Sequence, residues 1–148
     1  MLKISATLAK QIRAHGAETY PHECCGALLG KDEGENREVL GLVALKNQRE
    51  DSPRNRFEIT ADDVREAESG ARRSGLELLG WYHSHPDAPA RPSEFDREHA
   101  WPWYSYIIVS VQSRMPKDMN SWRLIDDRSR YNAEVIEIDS RAHTAGVE

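Results

Sequence analysis

The sequence predicts a single α/β domain in which a mixed β-sheet is flanked by helices. Its 148 residues allow one hydrophobic core. Apolar stretches with strand character alternate with two or three helical stretches, and Tyr104–Val111, rich in aromatic and β-branched residues, is the clearest strand. The content of 30% charged and 39% hydrophobic residues is typical of a globular protein. We expect the domain to span residues 1–138 and residues 139–148 to form a frayed tail.

The first part of the chain predicts a strand, a helix and a hairpin. Leu2–Ile4 is a short strand, and Ser5 is a suitable N-cap for a helix that runs to about Thr19, before Pro21. The next two apolar stretches are expected to pair as antiparallel strands. They are Cys24–Leu29 and Glu38–Leu45, with the charged turn Lys31–Asn36 between them.

The middle of the chain predicts a loop over Asn47–Asn55 and a short strand over Arg56–Ile59. Thr60 then caps a helix that ends near Gly75, and the apolar run Leu76–His83 is the next strand. The remaining elements are a proline-rich loop, a short helix and two strands: Pro86–Pro92, Ser93 to about Ala100, Ser121–Ile125 and Ala133–Ile138.

Composition disfavours several classes of function. The 20 basic and 25 acidic residues give a net charge of −5, whereas a nucleic-acid partner needs a basic face. No apolar run approaches the roughly 20 residues of a membrane helix, and the N-terminal residues do not resemble a signal peptide. The two cysteines, Cys24 and Cys25, are adjacent and make a poor disulfide pair. We therefore expect a cytoplasmic protein that binds neither nucleic acid nor membrane.

The segment from Trp81 to Asp96 carries the chemistry. His83 and His85 are two residues apart at the end of a predicted strand, so both imidazoles face the same side. The proline-rich loop brings the chain to Ser93, and Asp96 follows one helical turn later. Two histidines, one carboxylate and an open position for water are the ligands of a catalytic zinc site. Ser93 and Asp96 also have a structural interpretation, because Ser-x-x-Asp is close to a capping box.

A catalytic zinc needs a base beside its water, and Glu23 is the best candidate upstream. It lies at the entry to a buried strand, where a side chain can project into a site; the alternative is a solvated acid before the strand. Cys24 and Cys25 face opposite sides of that strand, so they cannot both bind one metal, and we expect both to be buried. Ser84, between the histidines, points to the opposite face and is expected to support the site structurally.

These residues match the JAMM motif: Glu23, then His83-Ser84-His85-Pro86, seven residues between His85 and Ser93, and two more before Asp96. The chain thus resembles the catalytic MPN (Mov34/PAD-1) metallopeptidases, and over roughly residues 2–138 it is similar to their small bacterial members. The resemblance implies a mixed sheet flanked by helices, like that of the cytidine deaminases.

The resemblance implies a role for each motif residue. His83, His85 and Asp96 would hold one zinc ion with a bound water. Glu23 would hydrogen-bond that water, act as general base and pass the proton to the leaving amine. Ser93 would donate a hydrogen bond to the oxyanion. Zinc lowers the pKa of its water to about 7 and polarises the scissile carbonyl.

The resemblance also implies a substrate class. The family cuts peptide or isopeptide bonds after the C-terminal diglycine of ubiquitin-like proteins. Only Arg97–Trp103 separates Asp96 from the next predicted strand, so no large insertion is present there. We therefore expect a zinc metallopeptidase that removes a C-terminal extension or cysteine adduct from a ubiquitin-like sulfur-carrier protein. A general deconjugase of modified lysines would use the same site and stays an alternative, and a homodimer stays open.

Two rival functions come from other classes. Two histidines and a carboxylate also form the facial triad of non-haem iron oxygenases. Those enzymes are all-β barrels, so the helix predicted over residues 60–74 disfavours this assignment. A non-catalytic MPN scaffold would have lost the ligands, which this chain keeps.

Overall fold

A computed structural model describes residues 1–46 and 59–140, which form one eight-stranded sheet with three helices. In chain order the elements of these residues are β1 (Leu2–Ser5), α1 (Ala6–Thr19), β2 (Cys25–Glu33), β3 (Asn36–Leu45), α2 (Ala61–Ser74), β4 (Glu77–Pro86), α3 (Glu94–His99), β5 (Ser105–Gln112), β6 (Met115–Leu124), β7 (Tyr131–Glu134) and β8 (Ile136–Asp139). The predicted mixed sheet with flanking helices is confirmed.

The strand order is β7-β6-β5-β4-β2-β3-β1-β8. The β4–β5, β1–β3 and β1–β8 pairs are parallel and the others are antiparallel. Strands β7 and β8 occupy opposite edges although only Val135 separates them, so the sheet curls until its edges approach each other. The Leu2 amide donates to the Val135 carbonyl at 2.8 Å. The prediction of a single strand over Ala133–Ile138 is therefore wrong.

Each face of the sheet has its own core. Helix α1 packs on one face with Cys24, Leu28 and Tyr82, and helix α2 packs on the other with Cys25 and Trp81. This division follows from the alternation of side chains along β2 and β4. Cys24 and Cys25 are each 2% exposed and carry free thiols. The prediction that they are buried on opposite faces is confirmed.

The predicted helix starts are also confirmed. The Ser5 hydroxyl caps α1 by accepting from the Leu8 amide at 3.1 Å. Thr60 and Asp63 form a reciprocal capping box at the start of α2. Gly75 ends α2 in the left-handed conformation, with φ of +70°.

Several strands extend further than predicted. Pairing in β2 and β3 continues through Glu33 and Asn36, so the turn is only Gly34–Glu35, rather than Lys31–Asn36. Gly34 has φ of +82°, which a two-residue hairpin turn requires and glycine adopts without strain. Strand β6 begins at Met115 rather than Ser121.

The loop predicted over Asn47–Asn55 and most of the strand predicted over Arg56–Ile59 lie outside the described residues, and Ile59 itself is not in a strand. Within the described ranges, no helix is long and apolar enough to cross a membrane.

Candidate metal centre

The end of β4 brings two imidazoles and a carboxylate together. His83 and His85 are 1% and 7% exposed and lie on the same face of the strand. Their Nε2 atoms are 3.1 Å apart. The Asp96 Oδ2 atom, on α3, is 3.1 Å from His85 Nε2 and 3.4 Å from His83 Nε2. The three side chains that the sequence predicted as ligands therefore converge on one point.

These three atoms fit a tetrahedral metal ion. Ligands about 2.0–2.1 Å from a tetrahedral zinc are roughly 3.3–3.4 Å from each other, close to the observed 3.1, 3.1 and 3.4 Å. His85 Nδ1 lies 2.8 Å from the Pro89 carbonyl, which can only accept. Nδ1 therefore carries the proton and Nε2 presents a lone pair to the centre.

The proline-rich loop that follows β4 is held from both sides. Three successive carbonyl groups of this loop accept hydrogen bonds from the strands beside it. The Ala88 carbonyl accepts from the Ser110 hydroxyl at 2.6 Å, and the Pro89 carbonyl accepts from His85 at 2.8 Å. The Ala90 carbonyl accepts from the side-chain amide of Asn120 at 3.1 Å and from the Trp122 indole at 3.2 Å. The orientation of His85 is thereby tied to β5 and β6.

The electrostatics of the cluster favour metal binding. Burial lowers the pKa of His83, and the nearby Asp96 carboxylate opposes this only in part. The ring is therefore neutral near pH 7, which is the form that binds a metal. Burial alone would raise the pKa of Asp96, but in the metal-free protein the positive charge and the N–H groups that protonated His83 and His85 present to it outweigh burial and hold that pKa well below its ordinary value.

Glu23 joins the cluster through the register of β2 and β4. Cys25 pairs with His83 in the antiparallel ladder, so the same register places Glu23 opposite His85 and on the same face. Glu23 is 3% exposed. Burial, and then the charge of Asp96, raises its pKa to about 9. The interpretation of Glu23 as a solvated acid is therefore wrong.

Ser84 supports this arrangement from the other face of β4. Its hydroxyl accepts a hydrogen bond from the Cys24 amide at 2.8 Å, and its own amide donates to the Cys24 carbonyl at 3.3 Å. Ser84 is fully buried. The predicted structural role of Ser84 is confirmed, because it joins β4 to the residue that follows Glu23.

Ser93 is the N-cap of α3. Its hydroxyl oxygen accepts from the Asp96 amide at 3.0 Å, and Asp96 Oδ2 accepts from the Ser93 amide at 2.9 Å. The structural interpretation of both residues thus holds. Capping uses a lone pair of the exposed Ser93 hydroxyl, so its proton is still available for a further hydrogen bond.

The comparisons with known proteins agree with this geometry. A family model described as prokaryotic homologs of the JAB domain matches residues 5–125. The chain belongs to the JAMM/MPN family. It is 32% identical over 119 residues to a desampylase of Haloferax volcanii, covering 77% of this chain and 84% of that protein. It is also 32% identical to a probable TtuB-protein conjugate cleaving protease of Thermus thermophilus, covering 75% and 71%.

The fold is similar to that of a solved structure. The protein DSY2949 of Desulfitobacterium hafniense superposes with a TM-score of 0.86 at 28% identity, covering 99% of this chain and 98% of that one. As a JAMM/MPN protein with hydrolase relatives, the chain is a hydrolase, and its His-His-Asp cluster could bind a metal.

Two cavities adjoin the JAMM residues. One, of about 20 Å³, is lined by His83 and Asp96 together with Tyr106 and Tyr131. The other, of about 530 Å³, is lined by Glu23 and by residues of α1 and the end of β3. The smaller cavity therefore reaches His83 and Asp96, and the larger one reaches Glu23.

Several residues that hold the centre were not predicted. The Pro89 carbonyl orients His85, and the Tyr131 hydroxyl donates to the Asp96 carbonyl at 3.1 Å across 35 residues. A backbone carbonyl has no side-chain signature, and nothing in the sequence around Tyr131 links it to Asp96. The pairing of β7 with β6 brings Tyr131 beside α3.

Proposed function

We propose that this JAMM/MPN hydrolase is a zinc-dependent metallopeptidase that cleaves the amide bond after the C-terminal glycine of a small ubiquitin-like protein. The observation that carries this proposal is the convergence of His83, His85 and Asp96 beside a buried carboxyl group, Glu23. The desampylase and the TtuB-conjugate protease support a protein conjugate as the substrate class.

His83, His85 and Asp96 would hold the zinc ion. When bound, zinc supplies a water of lowered pKa and polarises the scissile carbonyl. Glu23 is the group for proton transfer, because it is buried beside the cluster and lies on the same face as both histidines. The positive charge of bound zinc would lower the pKa of Glu23 from its raised value in the metal-free protein, so that the carboxylate is available. It then accepts the proton of the attacking water and passes it to the leaving nitrogen, a contribution of about 10²–10⁴ in rate.

Ser93 acts on the acyl side of the bond. The Ser93 hydroxyl donates to the carbonyl oxygen as negative charge develops there, which contributes about 10²–10³ in rate.

Within this class, the proposed substrate is a ubiquitin-like sulfur carrier, from which the enzyme removes a C-terminal extension or a cysteine adduct. The names of both relatives favour a second candidate, cleavage of the isopeptide bond that joins such a protein to lysine. Both reactions use the same carboxyl component and differ in the leaving amine. We place the enzyme in the cytoplasm, where the free thiols of Cys24 and Cys25 stay reduced.

One experiment tests the activity and separates the two leaving groups. The zinc-loaded protein is incubated with one ubiquitin-like sulfur carrier in two forms, extended by a C-terminal cysteine or joined to a lysine side chain. Intact mass spectrometry reads the release of the free glycine terminus, and the His83→Ala/His85→Ala variant is the inactive control. Cleavage of the first form alone supports processing, and cleavage of the second alone supports deconjugation. If neither form is cut, the proposed function is wrong.

A further inference from the structure

The helix that carries Asp96 is too short to be stable alone. Helix α3 has six residues, Glu94–His99, whereas isolated helices below about 12–15 residues are marginal in water. The last four carbonyl groups of an α-helix have no partner within the helix. In α3 these begin with Asp96 itself, so the position of this ligand depends on contacts from outside.

The hairpin formed by β6 and β7 supplies those contacts. The Tyr131 hydroxyl, on β7, donates to the Asp96 carbonyl at 3.1 Å. Arg97 Nη1 donates to the Arg128 carbonyl at 2.8 Å, and Arg128 Nη2 donates to the Glu98 carbonyl at 3.4 Å. Two carbonyl groups of the last turn of α3 thus receive donors from one hairpin.

The hairpin turn is itself well defined. The Ile125 amide donates to the Arg130 carbonyl at 3.0 Å, and the Arg128 amide donates back to Ile125 at 2.9 Å. The Asp127 carboxylate accepts from the Ser129 amide at 2.9 Å and from its hydroxyl at 2.7 Å. A turn with this many internal hydrogen bonds offers α3 a rigid support.

A second tyrosine braces the first. The ring of Tyr131 packs edge-on against Tyr106, with centroids 6.2 Å apart and planes at 86°, a favourable aromatic geometry. The Tyr106 hydroxyl accepts from the Trp101 amide at 2.9 Å, just beyond the end of α3. The orientation of Tyr131 is therefore set by the body of the sheet through β5.

We propose that Tyr131 is a positioning residue of the metal centre, because its hydroxyl fixes the turn of α3 from which Asp96 reaches His83 and His85. The inference rests on the proposed function in that it takes the three side chains as zinc ligands. Partners that hydrogen-bond a ligating side chain directly commonly affect metal affinity by about 10–100-fold. Tyr131 holds the backbone of Asp96 instead, so we expect an effect near the lower end of that range. Tyr131 acts through Asp96 and is not itself a catalytic residue.

The test compares two variants that each lose one tyrosine hydroxyl and keep the ring. Tyr131→Phe removes the hydrogen bond to Asp96. Tyr82→Phe is the matched control, because its hydroxyl lies 2.8 Å from His15 Nδ1 on the α1 face of the sheet. For the wild type and both variants, the zinc Kd is measured by competition with a chelator, the Tm of the metal-free protein by thermal unfolding, and the turnover as zinc is raised.

We expect Tyr131→Phe to raise the zinc Kd by about tenfold or more, and Tyr82→Phe to leave it within about threefold. The two variants should lose similar amounts of Tm, and the turnover of Tyr131→Phe should recover when zinc is saturating. A merely structural tyrosine would lower Tm without changing the zinc Kd. If Tyr131→Phe binds zinc as the wild type does, or if both variants weaken zinc equally, the inference is wrong.

Two further results keep the test decisive. If Tyr131→Phe does not fold, Arg97→Gln removes another contact between α3 and the hairpin and is held to the same tenfold criterion. If the wild type binds no zinc, both the proposed function and this inference are wrong. A wild type that binds zinc and cleaves its substrate, beside a Tyr131→Phe variant with unchanged zinc Kd, refutes only the role of Tyr131.

Discussion

Replacing Glu23 with glutamine should stabilise the metal-free protein at neutral pH while it removes most of the activity. Burial, and then the charge of Asp96, raises the pKa of Glu23 from 4.5 to about 9. Between these pH values the folded protein keeps a proton that the unfolded chain has released, so the free energy of unfolding falls as pH rises. At pH 7 the effect extends over about 2.5 pH units at about 1.36 kcal/mol each, or a little over 3 kcal/mol. Glutamine is uncharged throughout and avoids this loss.

The assay is denaturant unfolding of the metal-free wild type and Glu23→Gln from pH 4 to pH 7. The difference in free energy of unfolding should be near zero at pH 4 and grow to about 3 kcal/mol at pH 7 in favour of the variant. Glu66→Gln, at an exposed position on α2, is the matched control and should stay within about 0.5 kcal/mol of the wild type. Parallel pH profiles for the wild type and Glu23→Gln would refute the reasoning from burial.

The same variant tests the chemical role of Glu23. With zinc bound, the amide cannot accept the proton of the attacking water, so kcat should fall by about 10²–10⁴ while substrate binding persists. A wild-type kcat in zinc-loaded Glu23→Gln would remove Glu23 from the mechanism. A group that destabilises the folded protein and is needed for turnover is the trade-off expected of an active site.

Three further predictions concern the ligands, the cap and the thiols. The purified protein should carry about one zinc per chain, and elemental analysis should find none in folded His83→Ala/His85→Ala, since too few ligands remain. Ser93→Ala should keep zinc, lose about 1 kcal/mol of stability with its cap and lose about 10²–10³ in kcat; an unchanged kcat would leave Ser93 as a cap alone. Because burial raises the pKa of Cys24 to about 12 and also raises that of Cys25, a thiol reagent at pH 8 should modify both only after unfolding in guanidinium, and rapid native labelling would contradict this.

The convergence of His83, His85 and Asp96 was predictable because the placement of each is local. Alternation along a strand puts His83 and His85 on one face, and one helical turn separates Ser93 from Asp96. The support of the centre was not predictable, because Pro89 contributes a backbone carbonyl and Tyr131 reaches Asp96 from strand β7, far along the chain. These contacts depend on which strands become neighbours, and no short stretch of sequence encodes that.

The errors in the strand boundaries have similar causes. Alternation over Ala133–Ile138 indicates extended chain, but it cannot show that Val135 crosses from one edge of the sheet to the other. The charged residues after Gly30 suggested a turn, yet the β2–β3 ladder continues through them to Glu33. The signal for the true turn was present in Gly34, since a two-residue hairpin turn favours glycine at its first position.

The placement of Glu23 depends on strand register more than on the motif. A slip of β2 by one residue against β4 would turn Glu23 to the α1 face and bring Cys24 to the face of His83 and His85. A slip by two residues would keep the faces but would place Cys24 or Leu28 opposite Tyr82 instead of Gly26. A Cβ at Gly26 would overlap the buried Tyr82 ring, so the ring would have to move to admit either side chain. The hydrogen bonds between Ser84 and Cys24 hold the same register. A JAMM chain could therefore keep every motif residue and still lose its base if the pairing of Gly26 with Tyr82 failed.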